Sequence, residues 1–541
     1  MRLSGALRFV GVIGIGLASA TAALAPRVSH ASGVPSFDTA MLPPAPGLNL
    51  PHNEDAEPGM AIDGGGTIWI ASDIEPYAAD DPRAQPSGVL SGSDVWKSTD
   101  GGHSYQFVAA PFTQIQSNQS GAGGEDTDIA ASPVANSSGC YDIWVASLWI
   151  GSTNLAVSQD CGATFVTVPV NGEPAQDRPW LAADGACTVY LSYHALAPYD
   201  TVVDTFSLPP CNGQAINSAV PPTQADLFLG NVATGGLTNR HGKIVVDTAA
   251  ASPFQHNVYQ PMQGCASPTV DGVPEAALGC STAAQILMGV STNGGVIWND
   301  YTVHVTTTTT LYIWPVTAAV DSAGNIYVAW MEGSNGFAQN SFISVSKDGG
   351  KTWSAPVQIN APPSLSSAYP TLAANEPGHV EAAWYGTDRN GGTDDQNVMG
   401  LPALTTNPPC GATGQPACWR LWWGTSSDYG STWTEGPVTG TVHTGILCVE
   451  GGGCTASNGD RNMLDDFGMV IDGKTGAAAV MFDNDQPESL QGKTHTDFAV
   501  ENVLAANTPE LLSPLLAVLG GATLTAGVVA RRRRAMRSPI P

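Results

Sequence analysis

The sequence predicts an all-β protein, a β-propeller of seven four-stranded blades, with six blades as the alternative. Three observations support this prediction. The composition favours turns, with 61 Gly and 40 Pro among 541 residues and only 12% charged residues. Seven apolar hairpins recur along the chain, and five copies of a short turn pattern alternate with them. Repeats of this kind, with four strands in each unit of about 50–80 residues, are typical of propeller blades.

The short pattern predicts a tight turn between two strands. It reads Ser-x-Asp/Asn-x-Gly-x-x-aromatic. Asp and Asn bond to their own backbone two residues on, and glycine accepts a positive φ without strain. The leading serine can cap the turn and the aromatic can pack beneath it, so no catalytic role is needed to explain the pattern. The five copies begin at Ser98, Ser158, Ser291, Ser346 and Ser426.

The second repeat is an apolar hairpin, seen most clearly at 316–330 and 180–193. Hairpins one, two, four, five and six each precede a turn copy. The third precedes a degenerate copy at 234–236, and the seventh precedes a lone strand at 496–503. The propeller is therefore predicted over 58–504. The N-terminal extension, 32–57, is expected to supply a closing strand for the last blade within 41–53, which would leave no open sheet edge.

The five turn copies resemble the Asp-box, or BNR, repeat of the sialidase superfamily. The resemblance implies that each turn joins the two outer strands of a blade, on the face away from the active site. Catalytic members of that superfamily have six blades and carry a Phe/Tyr-Arg-Ile-Pro motif near the start of the propeller. This chain departs from both features, because it has seven hairpins and its nearest sequence is Asp177-Arg178-Pro179-Trp180 in the third unit.

Both ends of the chain predict export and anchoring. Residues 1–31 read as a signal peptide, with Arg2 and Arg8 before an apolar run and a small-residue cleavage site at 29–31. An uncleaved anchor is the alternative. After a linker at 505–513, residues 511–530 are long and apolar enough to span a bilayer as a transmembrane helix. The basic tail, 531–541, is expected in the cytoplasm, with the propeller outside.

Cysteine content and charge agree with an exported protein. The ten cysteines are expected to form disulfides between nearest neighbours, although connectivity is not fixed by sequence. Eight of the 20 Lys and Arg lie in the signal and the tail, while all 47 Asp and Glu lie between them. The intervening segment therefore has 12 basic and 47 acidic residues, a charge of −35. Such a surface disfavours nucleic acid. No partner beyond a glycan or a surface protein is indicated, and a monomer is expected.

The sialidase resemblance also implies roles for particular residues near the strand starts and second-strand loops. Sialidases bind the substrate carboxylate with three arginines. They use an Asp as general acid and a Tyr, activated by a Glu, as nucleophile. Asp177 is the candidate acid, although a local ion pair with Arg178 is the alternative. Trp180 is a candidate sugar platform, with core packing as its alternative. The candidate nucleophiles are Tyr193 and Tyr369, with Glu332 or, less favourably, Glu381 as partner, and the candidate substrate arginines are Arg178, Arg240, Arg389 and Arg461.

Carboxylates near the same strand starts suggest a cation site. Ca²⁺ takes six to eight oxygen ligands from Asp, Glu and carbonyl groups. None of the acidic segments matches an EF-hand loop, and solvated loop carboxylates are the alternative. No cofactor is required by any other motif. The candidate Ca²⁺ ligands are Glu125, Asp126, Asp128, Asp465 and Asp466.

Taken together, the sequence predicts a cell-surface propeller that binds a glycan or protein ligand at the face opposite the turns. The alternative is an exo-acting glycoside hydrolase of the sialidase type that cleaves terminal acidic sugars. A scaffold role without a small ligand is a third hypothesis. Propellers serve all of these functions, so the fold does not choose among them.

Overall fold

The computed structural model describes residues 33–46, 55–74, 93–112, 125–149, 152–168, 170, 176–195, 200–208, 219–224, 238–265, 269–270, 273–274, 283–305, 316–333, 339–401, 410–449, 463, 467–486 and 494–503. Val34–Val503 form one compact unit. The predicted signal peptide, the linker, the apolar segment 511–530 and the basic tail lie outside the described residues. Within the described ranges, no helix combines the length and apolar character needed to cross a membrane.

The described strands form seven antiparallel sheets of four strands, two of which carry an additional short strand, and one separate two-stranded ribbon. Numbered along the chain, the first nine strands are β1 (Phe37–Met41), β2 (Asp55–Ile62), β3 (Ile68–Ile74), β4 (Ser93–Ser98), β5 (Gln106–Ala109), β6 (Glu125–Ala131), β7 (Ile143–Trp149), β8 (Ser152–Ser158) and β9 (Val166–Val168). The next eleven are β10 (Gln176–Asp184), β11 (Thr188–Ala195), β12 (Asp200–Ser207), β13 (Ala219–Gln224), β14 (Thr238–His241), β15 (Val245–Val246), β16 (Val258–Cys265), β17 (Thr269–Val270), β18 (Val273–Pro274), β19 (Ala283–Ser291) and β20 (Asn299–Val305). The remainder are β21 (Thr317–Val320), β22 (Ile326–Glu332), β23 (Asn340–Ser346), β24 (Val357–Gln358), β25 (Ser366–Ala374), β26 (Val380–Thr387), a short helix α1 (Gln396–Met399), β27 (Cys418–Ser426), β28 (Thr434–Pro437), β29 (His443–Thr444), β30 (Gly468–Ile471), β31 (Ala478–Asn484) and β32 (His495–Glu501).

Each sheet is one propeller blade, and its strands pair in the order in which the chain runs. Blade 1 is β2-β3-β4-β5, blade 2 is β6-β7-β8-β9 and blade 3 is β10-β11-β12-β13. Blade 4 is β14-β16-β19-β20 with β15 added beside β16, and blade 5 is β21-β22-β23-β24. Blade 6 is β25-β26-β27-β28 with β29 added beside β27, and blade 7 is β30-β31-β32-β1. The prediction of a seven-bladed all-β propeller is confirmed.

The hydrophobic core is divided among the seven contacts between neighbouring blades. One apolar cluster joins Trp69 of blade 1 to Ile143 of blade 2, and another joins Trp330 of blade 5 to Tyr259 of blade 4. The second strands are buried on both faces, which explains why they read as continuous apolar runs in the sequence. A further cluster joins Met481 of blade 7 to Ile68 of blade 1. The apolar contacts therefore close the ring.

Strand β1 completes blade 7. It pairs antiparallel with β32, with Phe37 opposite Glu501 and Met41 opposite Asp497. The ring of Phe37 also packs edge-on against Trp423 of blade 6, with ring centroids 5.5 Å apart. The closing strand thus lies within the N-terminal extension, as predicted, but it precedes the expected stretch 41–53 and shares only Met41 with it. The outermost strand of the last blade comes from before the first blade.

All five turn copies join the third and fourth strands of a blade, the two outer ones. In each copy the leading serine hydroxyl donates to the Asp or Asn side chain and accepts a hydrogen bond from the backbone N–H of the glycine, as at Ser346, Asp348 and Gly350 (both 2.9 Å). In three copies the indole N–H of the closing tryptophan donates to the carbonyl of that glycine. The predicted serine cap is therefore confirmed, whereas the Asp or Asn side chain accepts a hydrogen bond from the backbone N–H four residues on instead of two. These turns define one end of the ring, the turn face.

Two disulfides have both partners among the described residues. Cys140 pairs with Cys161, and Cys410 pairs with Cys418. Both are nearest-neighbour pairs, as predicted. Cys161 lies within the turn of blade 2, so its bond fastens that turn to the preceding loop.

Candidate functional site

The first strands of four blades begin with the same backbone irregularity. Glu57, Asp126, Arg178 and Tyr369 have φ values of 48°, 38°, 56° and 53°, a left-handed conformation that side-chain-bearing residues rarely adopt. Each lies where the pairing of the first and second strands shifts register. A bulge of this kind bends the strand and re-aims its side chain. We call this end of the ring the mouth. The first strand of each blade begins here, and the third strand runs in the same direction and ends at a turn copy. The mouth therefore lies opposite the turn face.

Three of these bulges bring their side chains together. The guanidinium of Arg178 lies 3.3 Å from the Glu57 carboxylate and 3.2 Å from the Asp126 carboxylate, measured from Nη1 to Oε1 and Oδ1 respectively. The Arg178 and Glu57 side chains are each about 5% exposed and the Asp126 side chain 12%. Blades 1, 2 and 3 therefore meet in one buried ion-paired group. With two nearby acids, Asp73 and Asp483, these residues form the mouth cluster.

The surroundings of Glu57 favour its protonated form. Burial is the main cause that raises the pKa of Glu57 well above its usual value, and Asp126 and Asp73 raise it further. The positive charge of Arg178 opposes this shift without cancelling it. A side-chain hydrogen bond with Asp126 also raises the pKa of Glu57. The backbone N–H of Glu57 donates to Asp483 Oδ2 (3.4 Å), which connects the cluster to blade 7.

A neutral histidine supports the strained backbone at Arg178. His241 Nε2 lies 2.8 Å from the Arg178 carbonyl oxygen, and the ring is fully buried. Burial, reinforced by His194, lowers the pKa of His241 to about 3, so the ring is uncharged at neutral pH. Its Nε2 must then carry the proton in order to donate to the carbonyl. Blade 4 thus stabilises the left-handed conformation of a blade 3 residue.

A second ion pair lies deeper between blades 2, 3 and 4. Lys243 Nζ lies 2.7 Å from Asp128 Oδ1, and the Leu181 N–H donates to Asp128 Oδ2 at 2.7 Å. Burial raises the pKa of Asp128, and the attraction of Lys243 partly offsets this. Lys243 also lies over the ring of Trp180, 5.5 Å from its centroid.

These contacts correct the predicted Ca²⁺ site. Asp126 is paired with Arg178 and Asp128 with Lys243, so the oxygens expected to bind a cation already face protein cations. Among the residues that the structure describes, no group of three or more His, Cys, Asp and Glu side chains is arranged to hold a metal ion. The side chain of Glu125 and all of Asp465 and Asp466 lie outside the described residues.

The two predicted tyrosine nucleophiles are buried in the contacts between blades. Tyr193 has no exposed surface and packs in the apolar cluster between blades 2 and 3. Tyr369 is 1% exposed, and its hydroxyl donates to the Cys448 carbonyl oxygen at 2.9 Å. The Tyr369 hydroxyl is therefore engaged by the backbone.

The predicted acids are distributed around the ring. Asp177 is half-buried and lies opposite His194 in the strand register. Glu332, the expected partner of the nucleophile, instead lies 3.3 Å from His304 Nε2 and accepts a hydrogen bond from the Trp330 indole at 3.3 Å. Glu381 is fully buried and accepts a hydrogen bond from an indole N–H at 2.8 Å. None of these contacts is the expected Tyr–Glu pair.

The described arginines do not form a substrate clamp. Arg178 is engaged by the carboxylates of Glu57 and Asp126, and the local ion pair with Asp177 stays a prediction. Arg389 donates from Nη2 to the Ala412 and Gln415 carbonyls at 2.7 and 2.9 Å, which fastens a loop of blade 6. Arg240 lies within β14, but its side chain lies outside the described residues, as does all of Arg461. Trp180 is 5% exposed and packs between blades 3 and 4, as the core-packing alternative predicted.

Sequence reasoning missed the residues that complete the mouth cluster. Glu57, Asp73, His241 and Asp483 belong to none of the sequence motifs. A signal was nevertheless present. Glu57, Arg178 and Tyr369 each precede a proline at the start of a strand. Proline cannot donate to a strand ladder, so its presence there indicates a bulge.

Comparisons with known proteins add structural likenesses. No family model matches the chain, and no curated protein matches it. Three solved structures are similar over most of the chain. An ulvan lyase of a polysaccharide lyase family is 10% identical, with 82% of this chain and 94% of that chain covered and a TM-score of 0.46. An α-L-arabinanase from Penicillium chrysogenum is 11% identical, with 87% and 97% covered and a TM-score of 0.41. A leech intramolecular trans-sialidase is 11% identical, with 83% and 68% covered and a TM-score of 0.37.

Proposed function

We propose that this chain is an exported, membrane-anchored propeller that binds a glycan at the mouth. The observation that carries the proposal is the mouth cluster, in which the bulged first strands of three blades bring Glu57, Asp126 and Arg178 into contact. Carboxyl and guanidinium groups are suited to the many hydroxyls of a sugar because they accept and donate in fixed directions. Functional groups held on a rigid strand framework bind with little loss of entropy.

The backbone at the cluster supports a binding role over a purely structural one. Left-handed side-chain-bearing residues cost of the order of 1–3 kcal/mol each, and they persist where the surroundings hold them. The buried His241 ring and the Arg178 carbonyl provide such a hold.

Hydrolysis of a glycosidic bond is a second candidate function. Its specific support is Glu57, because burial raises the pKa of this carboxyl well above its usual value, as a general acid requires. The spacing of the carboxyls argues against it. Glycosidases place their two carboxyls roughly 5–5.5 Å or 6.5–9.5 Å apart, whereas Glu57 and Asp126 share a hydrogen bond. Binding is therefore the better-supported function, and the described arginines give no reason to restrict hydrolysis to acidic sugars.

A glycan array probed with the purified full-length chain tests the proposal. We expect selective binding that is lost in Arg178→Met. The matched control is Arg389→Met, which removes an arginine that bonds only loop carbonyls and should leave binding intact. Equal binding by wild type and both variants would contradict a site at the mouth cluster.

Fluorogenic glycosides separate the second candidate from the first. If the chain hydrolyses sugars, Glu57→Gln should abolish turnover while leaving glycan binding measurable, because the amide is isosteric but cannot supply the proton. Absence of turnover by wild type on neutral, acidic and amino glycosides would eliminate hydrolysis. Membrane anchoring is tested separately by fractionating cells that express the chain with and without residues 511–541.

A further inference from the structure

A buried segment of blade 6, which we call the mouth strap, lies beside the mouth. It comprises residues 442–449, includes β29 and is buried along its whole length. Two of its N–H groups donate to the carbonyls of Thr393 and Gly400 in the loop after β26, at 2.8 and 2.9 Å. The hydroxyl of Tyr369, a residue of a mouth bulge, donates to the Cys448 carbonyl of the strap at 2.9 Å. The strap therefore lies at the mouth end of blade 6.

One histidine joins the mouth strap to blade 7. His443 Nδ1 lies 2.8 Å from Oδ2 of Asp485, which directly follows β31, and His443 Nε2 lies 2.8 Å from the Ile446 carbonyl oxygen. The side chains of His443 and Asp485 are 1% and 4% exposed. The backbone N–H of Asp485 also donates to the Val442 carbonyl at 3.1 Å. Blade 7 is therefore fastened to the strap by a side-chain contact and a backbone contact.

The two contacts of the His443 ring fix where its hydrogens must lie. A carbonyl oxygen only accepts hydrogen bonds, so the Nε2 atom carries a hydrogen. A second hydrogen must lie between Nδ1 and the Asp485 Oδ2 atom, because two lone pairs repel each other at 2.8 Å. The other carboxyl oxygen, Oδ1, accepts from the Gln486 amide at 2.7 Å. The pair thus shares one proton and has no net charge, which is the favourable state in a buried site.

The end of β31 connects this contact to the mouth cluster. Asp483, two residues before Asp485, accepts from the Glu57 backbone N–H at 3.4 Å. The Asp483 backbone exchanges hydrogen bonds with the Tyr385 hydroxyl, at 2.8 Å for its N–H and 3.2 Å for its carbonyl. Burial, reinforced by Asp483, raises the pKa of Tyr385 well above its usual value, so this phenol is uncharged. The titratable side chains that the described neighbours bring to the strap and to Asp485 are those of Asp394, Tyr369, Tyr385 and Asp483.

We propose that the proton shared by His443 and Asp485 holds the mouth strap against blade 7, and that the strap separates from blade 7 when this proton is lost. Without the proton, the Nδ1 lone pair would face a carboxylate oxygen in a site from which water is excluded. Changes in histidine protonation rearrange interfaces in pH sensors. The contact needs no ligand, so it is independent of the proposed glycan function.

The pH window follows from the protons bound by this pair in the folded and the unfolded chain. An unfolded aspartate loses its proton near about pH 3.9, and an unfolded histidine near about pH 6.5. Between these values the unfolded pair also holds one proton, so the stabilisation is complete. Above about pH 6.5 the folded pair binds more protons than the unfolded pair, and the stabilisation is lost as pH rises. The strap is therefore held most firmly in mild acid.

Hydrogen exchange of the purified full-length chain tests the proposal at about pH 5.5 and about pH 8.5, with rates corrected for the intrinsic effect of pH on amide exchange. We expect the protection of the strap amides to fall at least about tenfold at the higher pH. Residues 326–332, the second strand of blade 5, are the internal reference and should stay protected. Unchanged protection of the strap would overturn the proposal.

Asp485→Asn determines whether the shared proton is the cause. Asparagine supplies an N–H donor to Nδ1 of a neutral His443 while Nε2 still donates to Ile446, so the contact no longer needs the proton. The protection of the strap should then be equal at the two pH values. A fall as large as in the wild type would contradict a role for the proton. His443→Gln cannot bond both partners at once, so the strap should be poorly protected at both pH values.

His256→Gln is the matched control. His256 Nδ1 lies 2.9 Å from Asp184 Oδ1, but the His256 side chain is 60% exposed and the pair joins blades 3 and 4. Its replacement should leave the pH dependence of strap protection unchanged, and a loss of that dependence would contradict the assignment to His443. Melting curves check that each variant folds, and the wild-type comparison remains decisive if one does not.

Discussion

The turn face and the mouth of this propeller use the same backbone conformation for opposite purposes. At the turn face, every copy places a glycine at its fifth position with φ between 77° and 96°, and the same serine and Asp or Asn satisfy the turn. At the mouth, the left-handed positions hold Glu57, Asp126, Arg178 and Tyr369, none of which is conformationally suited to them. The same residues in every turn copy indicate that the turns serve the structure. Different side chains on the same strained backbone conformation indicate that the mouth positions are selected for those side chains.

The two regions also respond to pH with opposite signs. Burial works to raise the pKa of the turn carboxylates Asp100, Asp348 and Asp428, but hydrogen bonds from their own turns outweigh it and lower the pKa. They stabilise the fold above the unfolded pKa, and this stability is lost as pH falls. Glu57 at the mouth has a raised pKa, so its contribution is lost as pH rises.

The largest effect should come from removing the mouth guanidinium. Arg178→Met leaves Glu57 and Asp126 buried without their cation, and breaking a buried pair in this way costs about 3–5 kcal/mol. Urea unfolding measures the change. Arg389→Met should cost about 1 kcal/mol, and adding Asp126→Asn to Arg178→Met should recover part of the loss. If Arg178→Met and Arg389→Met lowered the free energy of unfolding by similar amounts, the mouth would not differ energetically from the rest of the ring.

A smaller effect is expected for a glycine at the turn face. Gly350 has φ +85°, and a Cβ atom there would lie 2.8 Å from Val290 Cγ2. Gly350→Ala should therefore cost about 2 kcal/mol by combining backbone strain with overpacking. Gly476→Ala isolates the strain, since Gly476 has φ +75° but open space around it, and it should cost about 1 kcal/mol. Thermal melting of the two variants measures the difference in stability. A larger loss of stability for Gly476→Ala than for Gly350→Ala would refute the contribution of overpacking.

Loss of a single turn hydroxyl should be milder still. Ser346→Ala removes the hydrogen bonds to Asp348 and from the Gly350 N–H, and we expect a loss of about 1 kcal/mol. The control Ser431→Ala removes an exposed hydroxyl that bonds only the Asp428 carbonyl, and it should change stability by less than about 0.5 kcal/mol. If the five turns act independently, the equivalent change in two blades should give additive losses in chemical denaturation.

The smallest expected effect concerns pH at the contact between blades 6 and 7. Burial, with a further contribution from Glu381, raises the pKa of Glu501 to about 7. Because the folded chain holds this proton more tightly, the contribution of Glu501 to stability is full below about pH 4.5 and is lost as pH rises towards about 7. Glu501→Gln should flatten the melting temperature over that window. An unchanged slope would show that Glu501 does not titrate differently in the folded chain.

The sequence was a better guide to the framework than to the site. Seven hairpins and five turns predicted the blades because each repeat is a local device whose residues are neighbours in the chain. The mouth cluster joins positions 57, 126 and 178, which no local pattern connects. Arg178 and Asp126 were recognised as candidates, but for roles that contacts from other blades exclude.

Tyr193 and Tyr369 show the same limit of prediction from sequence. Tyr193 and Tyr369 follow the expected strand positions, but whether a side chain points into the channel or into the contact between blades depends on bulges that shift the register by one residue. The prolines at 58, 179 and 370 indicate such bulges, yet they do not specify which way a side chain turns. The mouth cluster likewise becomes visible only when contacts among residues of blades 1, 2, 3 and 7 are considered together.

The closing strand has a consequence for how the protein is made. Asn502 hydrogen-bonds Asp38 across 464 positions, so the first strand to be synthesised must wait for the last blade before it is paired. Until then, the third strand of blade 7 keeps an open edge, and such edges invite pairing with other chains. Chains delivered end-first in an extended state would carry this vulnerability for the whole of their passage. Ring completion thus depends on a pairing that can form only after the last blade has been synthesised.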